Sequence, residues 1–177
     1  MSEAADPRHE VLDVVDDADT VIGREQRAVV YERRLRHRVA SIVVRDPAGA
    51  VLVHRRTATK LVSPAKLDML VGGVVDAGET YDACAARELA EEVGVTGTPL
   101  RHVTDVRYDG EVASAPWPQW IHLYEVTWDG PVTPQASEVD WWSWLRVDEV
   151  EERVAADPGE WCGDSLVVWR RYREARG

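Results

Sequence analysis

The order of apolar patterns along the chain predicts an α/β sandwich built on a mixed β-sheet. Three observations carry that expectation. β-Branched runs of strand character alternate with segments of helical period. Turn signals such as DPAG join neighbouring runs as hairpins. A length of 177 residues suits one domain with a full core, and no internal repeat or low-complexity stretch marks a second.

Taken in order, residues 1 to 8 read as a frayed start. The segment EVLDVVDDADTVIGRE from Glu10 reads as strand, acidic turn at Asp16 to Asp19, and strand. Gln26 to Arg36 has helical periodicity, with Val29, Val30 and Leu35 on the apolar side. Val39 to Arg45 and Ala50 to Arg55 flank DPAG as a hairpin. RRTATKLVSPAK follows as an irregular cationic loop holding Lys60 and Lys66, the only lysines of the chain. Leu67 to Val75 is a short apolar approach to a helix that Thr80 caps at its start and Gly94 ends. Strands are expected at Leu100 to Tyr108 and Trp120 to Trp128, joined by a loop with APWPQW, and at Glu138 to Leu145. Asp148 with Glu151 reads as a capping box for a helix to about Ala156, and Asp164 to Arg176 as a closing helix.

A net charge of −11 and a pI near 4.9 argue against a nucleic-acid or anionic-membrane partner, both of which need a basic footprint. A polyanionic substrate must then be drawn in locally, by a metal and a few cations. No apolar run approaches the ~18 residues needed to span a bilayer, and MSEAADPRHE is acidic where a secretory leader is basic and then apolar. A cytoplasmic protein is expected. Cys84 and Cys162 lack CxxC spacing and read as free thiols. Eight tryptophans and no phenylalanine make Trp the expected large aromatic of the core. Trp117 and Trp120, in the Pro-containing loop, are the ones placed to stack on a base instead. The five histidines are scattered, none at metal-ligand spacing from another, and are expected to be structural or exposed.

Chemistry concentrates in Gly73 to Val95, GVVDAGETYDACAARELAEEVGV. At ~100° per residue, with Arg87 at zero, Glu91 falls near 40°, Glu88 near 100° and Glu92 near 140°. Leu89, Val93, Ala86, Ala90 and Ala83 occupy the arc from about 200° to 320°, the expected core face. Three carboxylates within two turns repel one another unless a counter-charge intervenes. Mg²⁺ is that charge by preference, because it takes oxygen ligands and is usually shared between carboxylates and substrate phosphates. Arg87 lies one turn before Glu91 and can pair with a glutamate. Arg55, Arg56, Lys60 and Lys66 surround the preceding loop and suit phosphate oxygens.

Gly73, Glu79, Arg87, Glu88, Leu89, Glu91, Glu92, Gly94 and Val95 meet every fixed position of the pattern G, five residues, E, seven residues, REU, any residue, EE, any residue, GU. The segment thereby resembles the signature of the Nudix hydrolases. That resemblance implies a Nudix fold, an α/β/α sandwich with a loop-helix-loop catalytic motif, over residues 35–177, with residues 1–34 as an N-terminal segment packed on it. It implies a Mg²⁺-dependent hydrolase, with Mn²⁺ as the alternative ion, that cleaves a nucleoside diphosphate linked to another moiety by attack of metal-activated water. Glu88 and Glu92 would be ligands, Glu91 a ligand or the base, and the Gly73 carbonyl part of the metal shell. Glu79 would brace Arg87, and Glu138, ahead of VDWWSWL, stands where the family often recruits a further catalytic glutamate. A homodimer is common in the family.

LRHRVASIVV, HRRTATK and SPAKLDMLVGGVV resemble the Nudix subgroup most like isopentenyl-diphosphate isomerase. Those isomerases use a cysteine and a metal-binding histidine just before the motif. The corresponding positions here, Val71 or Gly72 and Gly73 or Val74, offer no usable side chain, so hydrolysis is preferred. A noncatalytic sensor of the same fold is the third reading, and the complete motif argues against it.

Overall fold

Residues 6–177 are described by the computed structural model. The chain enters its sheet through a hairpin, β1 (Val11–Val15) and β2 (Val21–Gln26), then forms the short helix α1 (Arg27–Glu32). β3 (His37–Arg45) and β4 (Val51–Arg56) follow, then β5 (Leu67–Asp68), β6 (Val71–Val74) and the helix α2 (Tyr81–Val93). β7 (Arg101–Tyr108), β8 (Gln119–Thr127), β9 (Val139–Leu145), α3 (Val147–Ala156) and α4 (Gly163–Arg176) complete it.

β3 is the hub. It runs parallel to β8 and antiparallel to β6, so the sheet is mixed, and β7 lies on the far edge of β8. β4 carries β5 and β9 antiparallel to it, and β1 joins β3 at Val14 opposite His37. Alternation along the strands sorts their side chains between two layers. Ala40, Ile42, Val44 and Leu52 pack against Leu89 and Val93 of α2. Val43, Val51 and Val53 pack on the opposite face with Trp169 and Tyr172 of α4. Each fully buried aliphatic side chain contributes about 1.5–3 kcal/mol. Among the described residues, no helix is long and apolar enough to cross a membrane.

Several elements differ from the sequence expectation. The frayed start falls partly on residues 1–5, outside the described residues. Of the rest, Pro7–His9 forms a 3₁₀ turn whose Asp6 carboxylate accepts from the Arg8 amide at 3.0 Å. α1 stops at Glu32 because Arg34 takes a left-handed φ of 52° and the Leu35 amide closes on the Val30 carbonyl, turning the chain into β3. The first turn of α3 is held by Glu149, which accepts from the Arg146 amide at 3.1 Å. Glu151, expected in that role, accepts from the Trp169 indole at 2.9 Å. Trp161 and Trp169 alone among the tryptophans are buried; the other six are partly exposed, and aliphatic side chains fill most of the core.

The ends of α2 follow from its sequence. Thr80 Oγ1 accepts from the Ala83 amide at 3.2 Å, and Gly94 sits at φ 71°, the left-handed conformation that ends a helix most easily with glycine. Thr80→Ala is expected to cost about 1 kcal/mol, read as a lower urea midpoint at unchanged slope.

Candidate active site

α2 buries a different arc from the one its apolar residues suggest. Cys84, Ala85, Leu89, Glu92 and Val93 are buried, whereas Ala83, Ala86 and Ala90 face solvent. The reason lies in β6, where Gly72 and Gly73 leave the sheet surface without side chains. A Cβ at Gly73 would overlap the Glu88 carboxylate. Glu88 and Glu92 therefore turn toward the sheet into that gap, and exposing three alanines costs little. Cys84 fills space below, its thiol against the Val74 carbonyl at 3.4 Å.

Arg87 organises the acidic side chains. Its Nε and Nη2 donate to the two Glu79 carboxylate oxygens at 3.0 Å each, and Nη1 donates to Glu88 at 2.6 Å and to Glu91 at 3.4 Å. Glu79 is fixed in turn by the Asp76 amide at 3.1 Å. Glu138, just ahead of β9, is drawn in from the other side by the Lys60 ammonium, which also lies 3.4 Å from Glu92 Oε1. Burial, and then the neighbouring Glu92, push the Glu88 carboxyl up to about 7. Burial likewise pulls the Lys60 ammonium below its usual range, although Glu92 opposes the shift.

Glu92 is 5% exposed, and its Oε2 has no hydrogen-bond partner. A buried, unpaired carboxylate oxygen is costly. Here it stands beside Glu88, with Glu91 at the mouth at 57% exposed. The donors are all hard oxygens, with the Lys60 ammonium already among them as a balancing charge, so the set fits a hard divalent cation such as Mg²⁺.

These glutamates form one end of a cleft of about 730 Å³ that also takes in Gly73, Arg56 and Lys60 and continues to Tyr31, Trp117, Asp68 and Asp164. The other two cations expected near phosphate are held elsewhere. Arg55 and Arg56 are separated by a bulge in the pairing of β4 with β9 and go different ways. Arg55 pairs with Asp140 at 2.6 Å, and Lys66 donates to the Gly159 carbonyl at 2.5 Å; neither lines the cleft. Trp117 lines it, with one face stacked on Tyr31 at 4.6 Å between centroids. Trp120 donates to the Asp16 carbonyl at 3.2 Å and is not part of it.

Tyr31, Asp68 and Asp164 carried no motif and were not expected at a site. Asp68 is fully buried beside His54, and burial raises its carboxyl above the usual range. The strand register that sets His54 opposite Asp68 is what would have revealed Asp68; Tyr31 on α1 and Asp164 on α4 reach the cleft only through tertiary packing. The histidines are buried or at least partly exposed, as expected, and His102 and His122 are far apart in sequence, but pairing of β7 with β8 brings His102, Asp105 and His122 together.

Residues 35–162 match the NUDIX domain family model. The chain belongs to the Nudix family. It is 47% identical over 171 residues to an uncharacterized Nudix hydrolase of Streptomyces coelicolor, covering 95% of this chain and 91% of the relative. It is 37% identical over 157 residues to one from Yersinia pestis, covering 89% and 82%. The crystal structure of DR0079 from Deinococcus radiodurans superposes with a TM-score of 0.76 at 29% identity, over 92% of this chain and 99% of that one. The mixed sheet between helices is thus a Nudix fold, and the protein is a Nudix-type hydrolase of pyrophosphate bonds.

Proposed function

We propose that this Nudix hydrolase is Mg²⁺-dependent, with Mn²⁺ as the alternative ion, and cleaves a nucleoside diphosphate linked to another moiety. The orphaned Glu92 Oε2 beside Glu88 is the observation that carries the reading. Glu88, Glu92 and the Gly73 carbonyl would hold the ion, which when bound neutralises diphosphate charge and lowers the pKa of a coordinated water.

The protein's own groups do the rest. Arg87 keeps Glu88 and Glu91 in place through its bidentate hold on Glu79. Glu91, the most exposed of the three motif glutamates, suits the general base, because a proton taken there passes readily to solvent. Arg56 and Lys60 bind phosphate oxygens at the cleft. A phosphate drawing the Lys60 ammonium to itself would free Glu92 and Glu138 together, leaving Glu138 as a second acidic group at the reacting centre. Isomerisation finds no acid and base at the positions concerned, since Val71 and Val74 are aliphatic and the space beside Gly72 and Gly73 is taken by the Ala40 carbonyl and the Glu88 carboxylate.

The test is a panel of nucleoside di- and triphosphates, nucleotide sugars, dinucleoside polyphosphates and coenzymes, assayed with Mg²⁺ and with chelator. Two phosphorylated products in Mg²⁺ and none in chelator are expected for at least one nucleoside diphosphate derivative. Turnover that ignores the chelator would refute the metal-dependent reading. For that substrate, Lys60→Ala and Arg56→Ala should each raise KM roughly tenfold, the worth of one charge-assisted hydrogen bond. An unaltered KM removes the residue from the phosphate site.

A further inference from the structure

Outside the cleft, β7 and β8 converge three borderline-to-hard donors on one point. His102 Nε2 is hydrogen-bonded to Asp105 Oδ1 at 2.7 Å, His122 Nε2 stands 3.3 Å from the same oxygen, and one ligand atom from each residue lies within 4.8 Å of the others. We propose that His102, Asp105 and His122 form a second divalent-metal site, of the zinc class, on the exposed β7–β8 edge and separate from the nucleotide cleft.

Geometry supports the assignment. Zinc bonds of about 2.0–2.2 Å at tetrahedral angles place ligand atoms about 3.3–3.5 Å apart. The His122 to Asp105 spacing meets this as it stands, and His102 needs to withdraw by only about half an ångström. Without a cation, the Asp105 oxygen is bonded by His102, and His122 Nε2 stands beside it without a hydrogen bond to it. A cation between them gives each ring nitrogen and the carboxylate its own bond.

The ligands sit on a rigid frame. Asp105 and His122 are directly opposed in the antiparallel ladder. The His122 ring lies flat on Tyr81 at 3.5 Å between centroids, and the Tyr81 hydroxyl is fixed on Asp19 at 3.1 Å. His102 meets His122 edge-on at 5.4 Å. Two imidazoles with one carboxylate favour Zn²⁺ over Mg²⁺, which prefers an all-oxygen shell. His102 and Asp105 are about half exposed, at 48% and 51%, so an ion enters directly from solvent. None of the three lines the cleft. Because Tyr81 is the first residue of α2, a metal here ties the β7–β8 edge to the start of the helix that carries the motif glutamates.

The experiment is a Zn²⁺ titration by calorimetry in saturating Mg²⁺, which competes for the all-oxygen cleft far better than for a pair of imidazoles. The wild-type protein should take up one equivalent of Zn²⁺ and unfold at a higher temperature with it. His102→Ala and Asp105→Asn should each weaken that uptake on the order of 100-fold while leaving Mg²⁺-dependent hydrolysis unchanged. Both substitutions are at exposed positions, and circular dichroism checks the fold. No Zn²⁺ uptake in saturating Mg²⁺, or isotherms identical in wild type and variants, would overturn the proposal. Failure of the hydrolase reading would appear separately, as absent turnover in the substrate panel.

Discussion

Glu92→Gln is expected to lower kcat by on the order of 10³-fold or more, because the ion Glu92 would hold supplies several kcal/mol of charge stabilisation at the reacting phosphate, without unfolding the protein. Glutamine keeps the shape of the side chain and removes its charge. In the metal-free protein that charge is a burden, because Glu92 is buried, leaves Oε2 unpaired and contributes to pushing Glu88 up to about 7. The variant should therefore unfold in urea with chelator at no lower a midpoint than wild type, while losing turnover in Mg²⁺. Glu91→Gln should lose activity as well, at an exposed position where stability is hardly touched. A Glu92→Gln enzyme whose kcat stays within a few-fold of wild type would remove that carboxylate from the reacting centre, whatever its stability.

What could be read in advance, and what could not, divides by the range of the forces involved. The caps of α2 are local: Thr80 and Gly94 satisfy their own helix ends and need nothing from elsewhere. The carboxylate spacing is local too, and it placed Glu88 and Glu92 on one side of the helix. The side that faces the protein is not local. An arc of Ala83, Ala86 and Ala90 looks like a core face until a facing strand offers Gly72 and Gly73, and then the carboxylates turn inward instead.

The cations divide in the same way. Arg56 and Lys60 reach the cleft, whereas Arg55 and Lys66 find Asp140 and Gly159, 85 and 93 positions further along the chain. A bulge between Arg55 and Arg56 interrupts simple strand alternation, and only the tertiary fold says which of the two reaches the glutamates. His102 and His122 meet because one register of β7 on β8 opposes Asp105 to His122, and a bulge between His102 and Thr104 adjusts the approach. Register is set by which face is buried, and scattered histidines do not announce it.

Long-range packing is also expected to make the fold lose stability in acid, through His37. Its ring is fully buried, Nδ1 lies 3.1 Å from the Leu35 carbonyl, and Nε2 has no partner. Burial, with the charges of Arg27 and Arg36 nearby, pulls its pKa down from 6.5 to about 4. The folded protein therefore refuses a proton that the unfolded chain accepts. Above pH 6.5 both states are neutral and the group is silent; as pH falls from 6.5 to about 4, only the unfolded state is stabilised, and folding stability drops. A shift of this size is worth roughly 3 kcal/mol by the low end of that window. His54 is displaced in the same direction, to about 4, but Asp68 beside it is raised by burial and titrates in the opposing sense, so His37 gives the cleaner test. Asparagine at this position keeps a donor near the place of Nδ1 and cannot be protonated. His37→Asn is expected to start from a lower urea midpoint because of the space it leaves, but its stability should fall by roughly 3 kcal/mol less than wild type between neutral pH and pH 4. Parallel pH dependences for the two proteins would show that the proton barrier lies at another buried group.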